Sequence, residues 1–346
     1  MTYEIEERTL HFKQPAGTSR GIYTTRKIWL VSLSDGQREG VGECAPLPDL
    51  SCDARPDYVE VLDGFCQSLC ETGEIDYEAM RTYPSMLFGL ETALLDLKSH
   101  LSPLTTHHSS LLFDTAFSRG EVGIPINGLV WMGNYEEMLE RMEEKLAKGF
   151  RCVKLKIGAI DFDKELDLVK RIRERFSFHE VELRLDANGA FPFDEALYKL
   201  ELLSQYAIHS IEQPIKAGQW AYMAELCRES PLPIALDEEL IGVNDPEMKA
   251  HMLNIIKPRY IILKPSLHGG MNGCREWIEA AKAQGIGSWI TSALESNIGL
   301  NAIAQFASDV YGDHITMPQG LGTGQLFTDN IPIPLEIRGD QLWRCR

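Results

Sequence analysis

The chain has 346 residues, with 51 acidic against 34 basic side chains and a formal net charge of −17. That balance speaks against a nucleic acid or an anionic membrane as partner, and no apolar run approaches the roughly 20 residues needed to span a bilayer. The N-terminus, MTYEIEERTLHF, has no basic region followed by an apolar stretch, and the eight cysteines are scattered without paired metal-type spacing. No secretory signal is therefore expected, and the thiols read as reduced, as in a cytoplasmic protein.

In chain order, residues 2–12 and 27–33 alternate as strands, Ser34-Asp-Gly is a turn, and residues 38–43 form a third strand. Helical segments follow at 58–70 and 85–100. Together these predict an α+β unit over residues 1–120. Further along, short apolar runs alternate with helical periodicity. The predicted strands are 126–131, 152–157, 182–186, 209–212, 234–237, 260–264, 287–291 and 314–317. The predicted helices are 135–148, 161–176, 193–206, 220–228, 244–253, 273–284 and 297–310. One strand, one helix and two turns take about 25–35 residues, the repeat of a (β/α)8-type barrel. The barrel is assigned to residues 121–320, and a Pro-rich tail, 321–346, is expected to pack back on the N-terminal unit.

Charged residues end these strands: Lys154 and Lys156, then Asp186, Glu212, Asp237 and Lys264. In a parallel barrel the strand ends meet on one rim. Three carboxylates from successive strands offer the hard oxygen ligands Mg²⁺ prefers, leaving about three of its six positions for water or substrate. Any one of these acids alone reads more simply as a helix cap or an ion-pair partner; three in register with lysines do not. Lys154 and Lys156 are two apart on a strand and point to one side. Packed together beside a metal, they are expected to depress each other's pKa, so that one can take a proton. Lys264 comes from across the barrel, either as a second base or as a cation stabilising negative charge. A Schiff-base lysine is a third option, but it leaves the acids unexplained. Proton abstraction beside a carboxylate gives an enediolate, whose charge a metal and an ammonium stabilise.

These residues resemble the enolase superfamily, in its muconate-lactonizing subgroup, and within it the o-succinylbenzoate synthases of menaquinone biosynthesis. The resemblance rests on GVGECAPLP at 40–48, Lys154 and Lys156, the acids Asp186, Glu212 and Asp237, Lys264, and SALESNIG at 292–299. It implies a modified TIM barrel of (β/α)7β form under an N-terminal α+β capping domain, and Mg²⁺ as cofactor with Mn²⁺ as a substitute. It also implies a small-molecule carboxylate substrate, 2-succinyl-6-hydroxy-2,4-cyclohexadiene-1-carboxylate. By the same resemblance Lys156 is the base and then the general acid of a syn elimination of water, Lys264 holds the enediolate by a cation–π contact, and Lys154 tunes Lys156. Loops of the capping domain near 16–23 and 47–51 would cover the pocket.

Further candidates carry a bland reading beside the functional one. Asn188 reaches the metal sphere or a lysine, or is a turn residue; Glu238 pairs with Lys264 or Lys154. Ser292, Glu295, Ser296 and Asn297 open the last helix, whose free N–H groups are expected to take the succinyl carboxylate, or they only cap it. The glycine-rich stretch at 320–324 lacks the setting of a phosphate loop. His268 and Trp131 lie near the rim, Arg20 or Arg26 is a candidate for a substrate carboxylate, and His107 and His108 fall in a polar linker. The main rivals are dipeptide epimerisation and N-succinylamino acid racemisation on the same lysine pair, with muconate cycloisomerisation behind them. The Asp-x-Asp element of dipeptide epimerases is missing from HITMPQGLGTGQ at 314–325. A non-catalytic barrel would leave the rim charges uncompensated. Oligomeric state has no signature in the sequence.

Overall fold

A computed structural model describes residues 1–18, 21–99, 111–131 and 133–345. Arg20, His107 and His108 lie outside the described residues. The chain begins with an antiparallel sheet of β1 (Thr2–Thr18), β2 (Gly21–Ser34) and β3 (Glu39–Cys44), in that spatial order. The β1–β2 pairing shifts register between His11 and Ala16 and then resumes at Ala16↔Tyr23. The loop expected near 16–23 is thus largely the end of a long hairpin, because pairing resumes once a bulge has absorbed the mismatch.

Two helices cover this sheet, α1 (Tyr58–Thr72) and α2 (Pro84–Ser99). Val31, Leu33, Leu62, Leu69, Met86 and Leu90 form their shared core. The GVGE sequence has a packing reason. A Cβ on Gly42 would stand 1.9 Å from the Gly89 carbonyl oxygen of α2, so strand and helix backbones meet where no side chain fits.

The second unit starts at β4 (Ile124–Pro125) and β5 (Gly128–Val130). It continues through α3 (Tyr135–Ala147), β6 (Cys152–Lys156), α4 (Phe162–Arg175), β7 (Glu182–Asp186) and α5 (Phe193–Ser204). Then come β8 (Ser210–Glu212), α6 (Trp220–Glu229), β9 (Ile234–Leu236) and α7 (Pro246–Ile256). The last elements are β10 (Tyr260–Leu263), α8 (Gly270–Ala283), β11 (Gly287–Ile290) and α9 (Asn297–Tyr311). Strands β5 to β11 form one parallel sheet in sequence order. Both faces are covered, which explains their continuous apolar sequences: Val153, Leu155, Leu183, Leu185, Ile211, Leu236, Ile261 and Leu263 belong to a single core.

The eighth strand is not at 314–317, which pairs with nothing described. Closure comes after Pro318, which has no N–H to give a ladder. Gln319 bridges in parallel to Ile126, and Gly320 to Thr291. A Cβ on Gly320 would lie 2.0 Å from Thr291 Oγ1, so only glycine closes the ring this tightly.

The following chain runs first along the N-terminal sheet, where Lys13 N donates to the Leu326 carbonyl at 2.8 Å and Phe12 bridges Phe327. Beyond there the chain leaves that unit. Strands β12 (Leu335–Arg338) and β13 (Gln341–Arg344) form a hairpin that pairs with β4, at the start of the barrel. The hairpin satisfies its backbone on an open barrel edge, which a Pro-rich run against a packed sheet would not do. Between the two units lies an apolar layer that includes Leu10, Ile28, Val41, Ala45, Leu267, Leu294, Ile298 and Phe327.

Candidate active site

Parallel register sets the site. Lys156 of β6 is aligned with Asp186 of β7, and Asp186 with Glu212 of β8, so one charged residue per strand reaches the same level. Asp237 and Lys264 directly follow β9 and β10. The side chains meet as the strand order requires. Lys154 Nζ lies 2.9 Å from Asp186 Oδ2 and 2.6 Å from Glu212 Oε2, while Lys156 Nζ lies 2.9 Å from Asp186 Oδ2. Lys264 pairs with Asp237. Asn188, at φ 44, turns back over the rim: its Oδ1 accepts from Lys156 at 2.7 Å and its Nδ2 donates to Glu238 at 2.9 Å.

A cavity of about 100 Å³ opens above this cluster. Its floor includes Lys154, Lys156, Asp186, Asn188, Glu238 and Lys264. Tyr23, Leu47, Pro48 and Leu50 of the N-terminal unit form its roof. Thr291–Leu294, Gly320, Gly322 and Thr323 form one wall; Asn127, Leu129 and Trp131 form another. The Lys156 ammonium stands 5.9 Å from the Trp131 ring centroid, so this tryptophan faces the cavity.

Electrostatics here follow burial and pairing. Burial works against the charged form of Lys154, but Asp186, Glu212 and Asp237 together hold its pKa above the usual lysine range. Lys264 is likewise raised, burial being outweighed by Asp237 and Glu238. Each of these two ammoniums sits among more carboxylates than cations; the depression expected of Lys154 and Lys156 presumes a metal beside them. Asp186 is depressed: burial opposes, and Lys154 and Lys156 win. Asp237 comes down to about 2, with burial again outweighed by Lys264. Glu212 moves the other way, raised by burial and by Asp186 and Asp237 beside it.

The donor set suits a hard divalent cation. Asp186, Glu212 and Asp237 are at most 2 % exposed, and Asp237 Oδ1 is buried without a hydrogen-bond partner. As they stand, no three His, Cys, Asp or Glu side chains among the described residues converge as a ready cage. The Lys154 ammonium stands between Asp186 and Glu212, and a cation drawing those oxygens together would have to move it aside.

The structure corrects most of the residues expected to take the second carboxylate. Ser292 lines the cavity, its Oγ 2.5 Å from Thr323 Oγ1. Glu295, Ser296 and Asn297 do not line it. The N-terminus of α9 already holds a carboxyl group, that of Glu43, which accepts from Ser296 N and Gly299 N at 2.8 Å each and from Ser296 Oγ. Glu295 accepts from Ser266 Oγ and Ala293 N, both at 2.6 Å, and Asn297 bonds to Asn330 and the Ile331 carbonyl. Arg26 is buried and donates to backbone carbonyls rather than facing the cavity. His268 is buried beneath the site: its Nδ1 accepts from Lys264 N at 2.8 Å, and burial drops its pKa to about 3, so it stays neutral. Thr323, Asn127 and Tyr23 went unread as individual lining residues. Tyr23 lies inside a loop the family resemblance implies would cover the pocket; Thr323 and Asn127 had no signal of their own.

Family models match two parts of the chain: an enolase C-terminal domain-like model over residues 137–332, and the N-terminal domain of MenC over 18–97. The chain is 47% identical to the o-succinylbenzoate synthase of Desulfotalea psychrophila, with 99% of this chain and 98% of that protein covered. The crystal structure of MenC from the same organism superposes with a TM-score of 0.81 at 42% identity, covering 99% of each chain. A dipeptide epimerase from Enterococcus faecalis, solved with Mg and L-Leu-L-Tyr, has a TM-score of 0.82 at 19% identity over 99% of this chain and 96% of that one. That last likeness is one of fold.

Proposed function

The chain belongs to the o-succinylbenzoate synthase family of the enolase superfamily, and we propose that it dehydrates 2-succinyl-6-hydroxy-2,4-cyclohexadiene-1-carboxylate to 2-succinylbenzoate in menaquinone biosynthesis. The observation that carries the reading is the pairing of Lys156 and Lys264 at one small cavity with Asp186, Glu212 and Asp237 beneath them. Enzymes of this superfamily use a divalent metal; here Mg²⁺ is the proposed ion and Asp186, Glu212 and Asp237 its ligands. When bound, such an ion supplies Lewis-acid stabilisation of the negative charge that gathers on the substrate carboxylate.

The protein's own groups do the rest. The amine of Lys156 takes the proton from the carbon beside the carboxylate. Asn188, at 2.7 Å, keeps that amine aimed. The ammonium of Lys264, from the facing strand, stabilises the enediolate. The proton on Lys156 passes to the departing 6-hydroxyl on the same face, water leaves, and the ring becomes aromatic. Lys154 holds the charge balance next to Lys156 and meets the carboxylate. Formally, the four acids Asp186, Glu212, Asp237 and Glu238 outnumber the three lysines by one; a divalent cation reverses the sign and favours an anionic substrate.

The wall made by Gly320, Gly322 and Thr323 carries no acid to grip an amine, which favours the synthase over a dipeptide epimerase. All eight cysteines are free, in keeping with a reducing cytoplasm. Among the described residues no helix is long and apolar enough to cross a membrane. The test is turnover of the cyclohexadiene carboxylate with and without Mg²⁺, beside N-succinyl amino acids in deuterated water. Mg²⁺-dependent loss of the diene absorbance is expected. Fast deuterium exchange into the amino acids with no diene turnover would make the chain a racemase instead.

A further inference from the structure

Arg26 lies in β2 and is 3 % exposed. Every hydrogen bond described for its guanidinium ends on a backbone carbonyl. Two belong to the loop after β3: Ala45, at 2.5 Å, and Pro46. Two belong to the turn after β11: Leu294, at 3.2 Å, and Ala293, at 3.4 Å. A fifth, to Lys27 at 3.4 Å, is local. A guanidinium buried without a bonded carboxylate is costly. Glu43 and Glu295, the acids whose charge reaches it, are occupied with Ser296 and Gly299, and with Ser266 and Ala293. Packing alone would be served by an apolar residue.

What the arginine joins is the cavity. Ala293 and Leu294 line it, and Pro46 directly precedes Leu47 and Pro48, which also line it. Leu294 is held at φ 65, a left-handed conformation that disfavours a branched side chain, and its carbonyl is the one Arg26 Nε takes. One fork of five donors suits such a task; a lysine has a single donor centre.

We propose that Arg26 is a positioning residue for the reaction, latching the capping loop at 45–50 to the barrel turn at 293–294 and so holding the cavity's apolar wall closed over the substrate. The proposal rests on the synthase reading for its substrate. It acts away from the reacting atoms, since Arg26 touches none of the three lysines.

The experiment compares Arg26→Met and Arg26→Lys in the full chain with Mg²⁺ present. For Arg26→Met, KM for the diene rises at least about 10-fold while kcat stays within about 3-fold, the split expected when binding rather than chemistry is lost. Arg26→Lys falls between. Amide hydrogen exchange quickens at 45–50 and 293–296 and not in β6 or β7. Lowered Tm with unchanged KM, or a loss confined to kcat, overturns the proposal. If Arg26→Met does not fold, Arg26→Lys decides alone, an unchanged KM counting against. If the wild-type protein does not turn the diene over, the synthase reading fails by itself. The exchange readout on Arg26→Lys then decides the latch, and unchanged exchange at both segments overturns it.

Discussion

Lys156 is held by two neighbours, Asp186 at 2.9 Å, which ends the adjacent strand, and Asn188 at 2.7 Å, in the turn just after it. Asp186 pairs with the amine, and Asn188, a neutral acceptor, orients it. Proton transfer by a positioned side chain contributes about 10²–10⁴-fold. Lys156→Ala is therefore expected to lower kcat for the diene by at least about 100-fold, with far-UV circular dichroism and Mg²⁺ affinity by calorimetry little changed. Survival of most of the turnover would transfer the base to another group. At this scale the KxK spacing and the strand-end acids were legible, because period-two alternation sends Lys154 and Lys156 to one side whatever surrounds them. The partner of Ser296 was not, since Glu43 lies more than 250 positions away.

Helix termini show the same limit one level up. The N-termini of α8 and α9 are anion sites by their geometry, and each is filled from the N-terminal unit. Glu91 of α2 accepts from Met271 N and from Asn272 N at 2.9 Å; Glu43 of β3 does the same for α9. These carboxylates therefore dock the two units rather than leaving room for a ligand. Burial raises Glu91 to about 8 and Glu43 to about 7, against 4.5 for an exposed glutamate, the helix N–H groups only partly offsetting it. Between those values the folded state binds more protons than the unfolded one, so stability falls as pH rises. For Glu91 the window runs from 4.5 to about 8. Replacing it by glutamine removes its share, on the order of 1 kcal/mol per pH unit across the window. Thermal melts of Glu91→Gln against the wild type should converge or cross as pH rises; a constant offset would refute the buried, protonated Glu91.

For the molecule as a whole, the rim packs Asp186, Glu212 and Asp237 close enough to repel one another, and a divalent cation among them would offset that repulsion. A ligand that binds only the folded state stabilises by about 2.7 kcal/mol at 100 times its dissociation constant. Mg²⁺ should raise Tm by several degrees and EDTA should reverse the rise; a Tm indifferent to both would count against Asp186, Glu212 and Asp237 as ligands. The same relief should free Lys154, whose ammonium now sits between Asp186 and Glu212.

By itself the sequence determined the strand–helix alternation and the face each strand residue takes. Each of these depends on a local period, of two residues in strands or 3.6 in helices, that survives any arrangement of the rest. Only the tertiary structure decided where the ring closes, at Gln319 and Gly320 rather than four residues earlier, and that Glu43 rather than substrate caps α9. It alone joined Arg26 to the loop roofing the cavity and to one of its walls. Those features are contacts between separate segments, up to 268 residues apart for Arg26 and Leu294, settled by steric closeness and by the need of each buried polar group for a partner.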